Sequence, residues 1–373
     1  MNMKTALYPV AVAAMIVTMA CSTTPDSPGV GGSVAPKHRV DASWPKPLPN
    51  NWILGQVSGL AVDSRDHVWI LHRPLTILKE ELLAAQTPPT AKCCVHAPAV
   101  IEFDPAGNVV RAWGGPAQGY DWPKNEHGMH VDAEGNVWIG ANDAADNQVL
   151  KFTRDGKFLM QIGKAGKSEG SNSRTQLGRP AHMSVDTAEN EVYIADGYGN
   201  RRVAVFDAKT GAYKRHWGAY GNAPSDDKLP PYEPAAPVSK LFNNAVHCVH
   251  LSRDGLVYVC DRAHNRIQVF QKSGAFVKEF FVQPQTRAGQ TTAEIAFSPD
   301  RAQTFMYVAD GPNGEVQVLT RTDGKQVASF GRRGRMAGEF SSLHNIAADS
   351  KGNVYTAEAG PGRRVQKFAR VMD

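Results

Sequence analysis

The sequence is poor in several features, and each shortage excludes something. Cysteine is scarce, five in 373 residues, too few for a scaffold stapled by disulfides. The net charge is only +5 and no Lys/Arg block stands out, so nothing points to nucleic acid. Apart from residues 6–20 there is no long apolar run, and that one is too short for a membrane span. Helical periodicity is missing too; the stretch 77–85 is the single helix candidate. What is abundant is glycine (34) and proline (24), in a chain long enough for one large core.

The N-terminus carries Lys4, then the apolar run, then Met19-Ala20-Cys21. A basic residue, a short apolar stretch and a small residue before the cut make an export signal over 1–20. Cysteine directly after Ala20 resembles a bacterial lipoprotein signal, with Cys21 lipidated; a plain secretory cut nearby is the alternative. Residues 21–49, rich in Ser, Thr, Pro and Gly, read as a flexible tether ahead of a domain spanning 50–371. The expected location is the bacterial cell envelope or the medium, with any membrane contact through the lipid alone. Cys93 and Cys94 lie in an insert, and Cys248 and Cys260 read as small buried hydrophobes.

The domain is repetitive. Units align on Asp63, Asp132, Asp186, Ser252, Ser298 and Asp349, each opening a turn. After each comes a β-branched or aromatic strand: HVWIL, NVWIG, EVYIA, LVYVC, FMYVA, NVYTA. Third strands follow (QVLKF, RVAVF, RIQVF, RVQKF among them), then fourth strands such as NVVRAWG and AYKRHWG. Six units of four strands predict an all-β, six-bladed propeller, and the pattern resembles that of NHL-repeat propellers. The sixth unit stops after RVQKF, and NWILG near residue 52 looks like its missing strand. An N-terminal strand, 52–55 against 365–368, is therefore expected to close the last blade.

Five residues before the alignment points stand Ser58, His127, Ala181, His247, Ala293 and His344. Histidine occupies alternate blades only. Equivalent positions on alternate blades are a third of a turn apart, so the three imidazoles converge on the axis. Three imidazoles with an open fourth position form a catalytic zinc shell; copper, iron and nickel suit the same donors. His130, His182 and His250 have the opposite side-chain parity and are expected to face between sheets.

An antiparallel hairpin returns to the end where it began. Loops after the second strands therefore lie at the same mouth as the histidines, bringing Arg73, Tyr198 and Arg262 close. Two guanidiniums beside a metal suit a carboxylate, and a tyrosine there suits proton transfer. The insert 74–98 and the proline-rich linker 219–241 are expected on the same face, as binding loops.

The segments GQVSGLAVD, LHRP, EHGMHVD, DGYGNRRV, CDRAHNRIQVF and LHNIAADSKGNVYTAE resemble, in order, the peptidyl-α-hydroxyglycine α-amidating lyases. The resemblance implies a six-bladed propeller with zinc on His127, His247 and His344 and active-site residues Tyr198, Arg73 and Arg262. It also implies an axial calcium on the backbone carbonyls of Leu60 and Met129 and on the side chain of Asn345. The family has aspartate at that last position; asparagine keeps an oxygen but loses a charge, which weakens calcium binding. The implied reaction is N-dealkylation of a peptidyl-α-hydroxyglycine to a peptide amide and glyoxylate. A small carboxylate-bearing or peptidyl substrate and a monomeric enzyme are expected. A metal-dependent lactone or ester hydrolase, and a non-catalytic propeller binding a peptide, glycan or protein, are the other readings of the same residues.

Overall fold

The computed structural model describes Met1 and residues 34–372. The export signal, Cys21 and the tether as far as residue 33 lie, Met1 aside, outside the described residues. Six four-stranded antiparallel sheets follow one another around a ring. The innermost strands are Gln56–Val62, Glu126–Val131, Pro180–Asp186, Val246–Leu251, Glu294–Phe297 and Leu343–Ala348. Among the described residues, helix is limited to six three-residue 3-10 turns, and none is long and apolar enough to cross a membrane.

The local cause of each blade is visible in the unit at residues 126–140. Asp132 opens the turn: its Oδ1 accepts the backbone N–H groups of Glu134 and Asn136. Its Oδ2 accepts the indole N–H of Trp138 at 3.0 Å. Trp138 stands at the same place as Trp69, Tyr193, Tyr258, Tyr307 and Tyr355, all shut off from solvent. Removing the carboxylate leaves a buried indole donor unpaired. Asp132→Ala is thus expected to cost about 2–3 kcal/mol in urea unfolding while leaving metal binding unchanged.

Six apolar clusters fill the ring, one at each junction of neighbouring blades. The cluster joining blade 6 to blade 1 packs Tyr355, Ala357 and Val365 on Val57, Ile70 and Phe103. That junction closes the circle.

Four expectations need correcting. Blade 6 is completed by an N-terminal strand, but it is His38–Asp41, not 52–55; Val40 pairs with Phe368 and Asp41 with Lys367. Trp52–Ile53 instead pairs in parallel with Val95–His96 of the insert. The ring therefore takes in residues assigned to the tether, and Trp44 is buried against Phe103 and Tyr355. The helix candidate 77–85 is only two short turns, Lys79–Glu81 and Leu83–Ala85. These are held to blade 6 by an ion pair from Glu81 to Arg363. Lastly, Cys248 and Cys260 are not free hydrophobes: they face each other on adjacent strands and form a disulfide, as do Cys93 and Cys94.

Candidate metal centre and active site

A β-bulge shapes the axis. In five innermost strands the pairing register slips by one residue, at His127/Met129, Pro180/His182, Val246/Cys248, Leu343/Asn345 and Val57/Gly59. A bulge adds an unpaired residue and re-aims the side chains around it. Both sides of the slip consequently face inward. Gly128 sits in the second blade's bulge with φ of 58°, and a Cβ there would collide with the carbonyl of Ala181. That same carbonyl accepts Nδ1–H of His127 at 2.8 Å.

His127, His247 and His344 meet on the axis, with ring centroids 4.8 to 4.9 Å apart. Nδ1 of His247 donates to the carbonyl of Ala293, and Nδ1 of His344 donates to Oδ1 of Asn345 at 2.6 Å. With each Nδ1 spent on an oxygen, each Nε2 presents a lone pair to the centre. The Nε2 atoms of His127 and His344 stand 3.2 Å apart. Nitrogens sharing a tetrahedral zinc at 2.0–2.1 Å lie about 3.4 Å from one another. Burial, then the neighbouring imidazoles and guanidiniums, hold His127 and His247 far below the usual histidine range. His344 is pushed down to about 3, chiefly by burial. Three neutral rings with converging lone pairs fit a divalent cation.

Tyr198 lies beside them. Its hydroxyl is 3.0 Å from Nε2 of both His127 and His247. Arg262 places its guanidinium 5.3 Å from the Tyr198 ring centre, and its buried Nε has no hydrogen-bond partner. The neighbouring Asp261 is committed elsewhere, to Arg266 and His264. Arg73 is buried; its guanidinium donates to the Glu126 carbonyl, Gln56 and Asn142, none of them an anion. Desolvation lowers its pKa, opposed by Tyr198 and the Glu126 carboxyl.

Sequence reasoning missed Arg179. It packs its guanidinium 5.8 Å from the Tyr198 ring centre and holds a left-handed φ of 59°, uncommon for a side chain of its size. The only signal was its place just ahead of Pro180, which starts an inner strand. The proline-rich linker is anchored through Arg201, Arg266 and Pro284, and among the described residues none of its hydrogen bonds reaches the imidazoles.

His130, His182 and His250 do not face between sheets as parity suggested. They line an axial cavity of about 330 Å³ with Leu60 and Met129, because the bulge resets which residues point inward. Glu294 lies among them, raised to about 7 by burial. Asn345, the third residue of the implied calcium set, gives its oxygen to His344 and its amide to Glu294 at 3.4 Å. The group Asp63, His67 and Glu102 also gathers possible ligand atoms. It is neutralised by Arg65, Arg111 and Arg154, an ion-pair network that leaves no role for a metal.

Comparison with known proteins fits this architecture. The family model "Lactonase, 7-bladed beta-propeller" matches residues 157–348, and the chain belongs to that propeller family, here with six blades. The chain is also similar to amidating lyases and NHL-repeat proteins. It is 27% identical over 357 residues to peptidyl-alpha-hydroxyglycine alpha-amidating lyase 1 of Drosophila melanogaster, covering 87% of this chain and 58% of that one. It is 27% identical over 349 residues to NHL repeat-containing protein 3 of Mus musculus, covering 89% and 84%. The chain spans 29% to 58% of the length of its amidating relatives. A streptogramin B lyase structure shares the fold at TM-score 0.52 and 12% identity, over 90% of this chain and 98% of that one.

Proposed function

We propose that this protein is an exported, metal-dependent carbon–nitrogen lyase that converts a peptidyl-α-hydroxyglycine, or a close carboxylate-bearing analogue, to an amide and glyoxylate. The observation that carries the reading is the meeting of three Nε2 lone pairs with the Tyr198 hydroxyl, beside a guanidinium nitrogen that has no partner. His127, His247 and His344 would hold zinc. Bound there, zinc supplies Lewis acidity that lowers the pKa of an adjacent substrate hydroxyl.

Tyr198 Oη is placed to relay that hydroxyl proton, taking it up as it passes its own phenolic proton to the amide nitrogen. The electron pair left on oxygen forms the aldehyde carbonyl, the C–N bond breaks, and the amide nitrogen takes the proton. Arg262 binds the carboxylate, which becomes that of glyoxylate, and the positive charges of Arg73 and Arg179 favour the anion at this mouth. Arg262→Ala is expected to lower kcat/KM by about 10²–10³ for a substrate bearing the carboxylate, and far less for its amide analogue.

Membership of a lactonase propeller family supports a second reading, hydrolysis of a lactone at the same site. Product analysis separates the two. Glyoxylate released from a hydroxyglycine peptide supports the lyase; turnover of lactones with no glyoxylate from that peptide overturns it.

A further inference from the structure

The axis holds a second constellation that this chemistry does not use. We propose that His182, His250 and Glu294 bind a second divalent transition metal ion, on the far side of the bulge from the imidazole triangle. These residues come from the innermost strands of three successive blades, 3, 4 and 5, so the site forms only when those blades pack together.

The donor atoms converge. Nε2 of His250 lies 2.6 Å from one oxygen of Glu294, and Nε2 of His182 lies 3.9 Å from the other. The two imidazoles stack at 4.8 Å between centroids. Candidate ligand atoms on all three residues lie within 4.8 Å of one another. Nδ1 of His182 is occupied by the backbone of Val249 at 3.1 Å, which fixes the ring and leaves Nε2 for a metal.

The charge balance asks for a cation. Glu294 is 2% exposed, and among the described residues its ion-pair partners are the two imidazoles alone. A buried carboxylate with neutral neighbours is costly unless something positive joins it. Two imidazoles and a carboxylate are a known zinc set with one open position. That position would face the axial cavity of about 330 Å³, whose walls include Asp63, Arg253 and Asp349 and give an ion a way in.

The donor set also speaks against calcium here. Calcium takes six to eight oxygens. Asn345 has already given its oxygen to His344, and His182 and His250 offer imidazole nitrogen rather than oxygen. Nitrogen donors select zinc, copper, nickel or iron instead.

The test is a metal titration of the full chain after chelation, with zinc and then cobalt(II), whose visible spectrum reports coordination. The unmodified protein is expected to take two equivalents, and Glu294→Gln and His250→Gln one each. A variant with His127, His247 and His344 all replaced by alanine should also keep one, lost when Glu294→Gln is added. This arm separates the second site from the lyase centre, since it carries no activity. Circular dichroism checks that each variant is folded, and if Glu294→Gln is not, His250→Gln decides. One equivalent in the unmodified chain, or two in a folded His250→Gln, overturns the proposal. So does a second ion that is calcium and indifferent to His250→Gln.

Discussion

His247→Ala is expected to lower zinc content by one equivalent per chain and turnover by on the order of 10³-fold or more, with the propeller still folded. The size follows from the role: Lewis-acid stabilisation is worth several kcal/mol, and each 1.36 kcal/mol is tenfold in rate. His247 is the choice because it is fully buried and donates only to the carbonyl of Ala293. Losing that bond costs about 1–2 kcal/mol of stability, too little to unfold a ring held at six junctions. Elemental analysis with circular dichroism reads both parts. A folded variant with full zinc content would remove His247 from the shell.

Acid should unfold the metal-free protein early. His72 is fully buried, and desolvation holds its pKa at about 4 rather than 6.5. Its Nδ1 accepts the N–H of Gly55 at 3.2 Å, and its Nε2 faces the carbonyl of Pro98 at 3.0 Å, so a proton on Nδ1 would displace a backbone donor. His130 is in the same position: its Nε2 accepts the N–H of Val185, and burial sets it at about 4. The unfolded chain takes up these protons as pH falls through 6.5, while the folded chain waits until about 4. In that window the unfolded state binds more protons, so stability falls with pH, by roughly 3 kcal/mol for His72 and less for the partly exposed His130. Glu294 acts the other way. Its raised pKa of about 7 adds stability as pH drops toward 4.5, offsetting about one histidine. Denaturant midpoints at pH 7.5, 6 and 5 should therefore decline steadily. A flat profile would mean that the folded protein accepts these protons freely.

Much of this was legible in the sequence because a propeller writes its geometry as a repeat. Six aligned turns placed His127, His247 and His344 on alternate blades, and the rings do meet. The parity rule failed for His130, His182 and His250, because a bulge adds one residue to the strand and so reverses the alternation beyond it. Gly128 was its one visible trace. The closing strand His38–Asp41 was missed because four residues with only Val40 apolar look like linker, whereas NWILG looks like strand. The disulfide could have been found. Cys248 and Cys260 are symmetric about Asp254 in a hairpin, which puts them opposite each other.

The closing strand has a consequence for biosynthesis. His38 bonds to the carbonyl of Gly352 across 314 residues of sequence. The segment that seals the ring leaves the ribosome long before its partner, Arg364–Arg370, exists. No partial chain can complete the circle, and until release the last blade keeps a bare edge open to other strands.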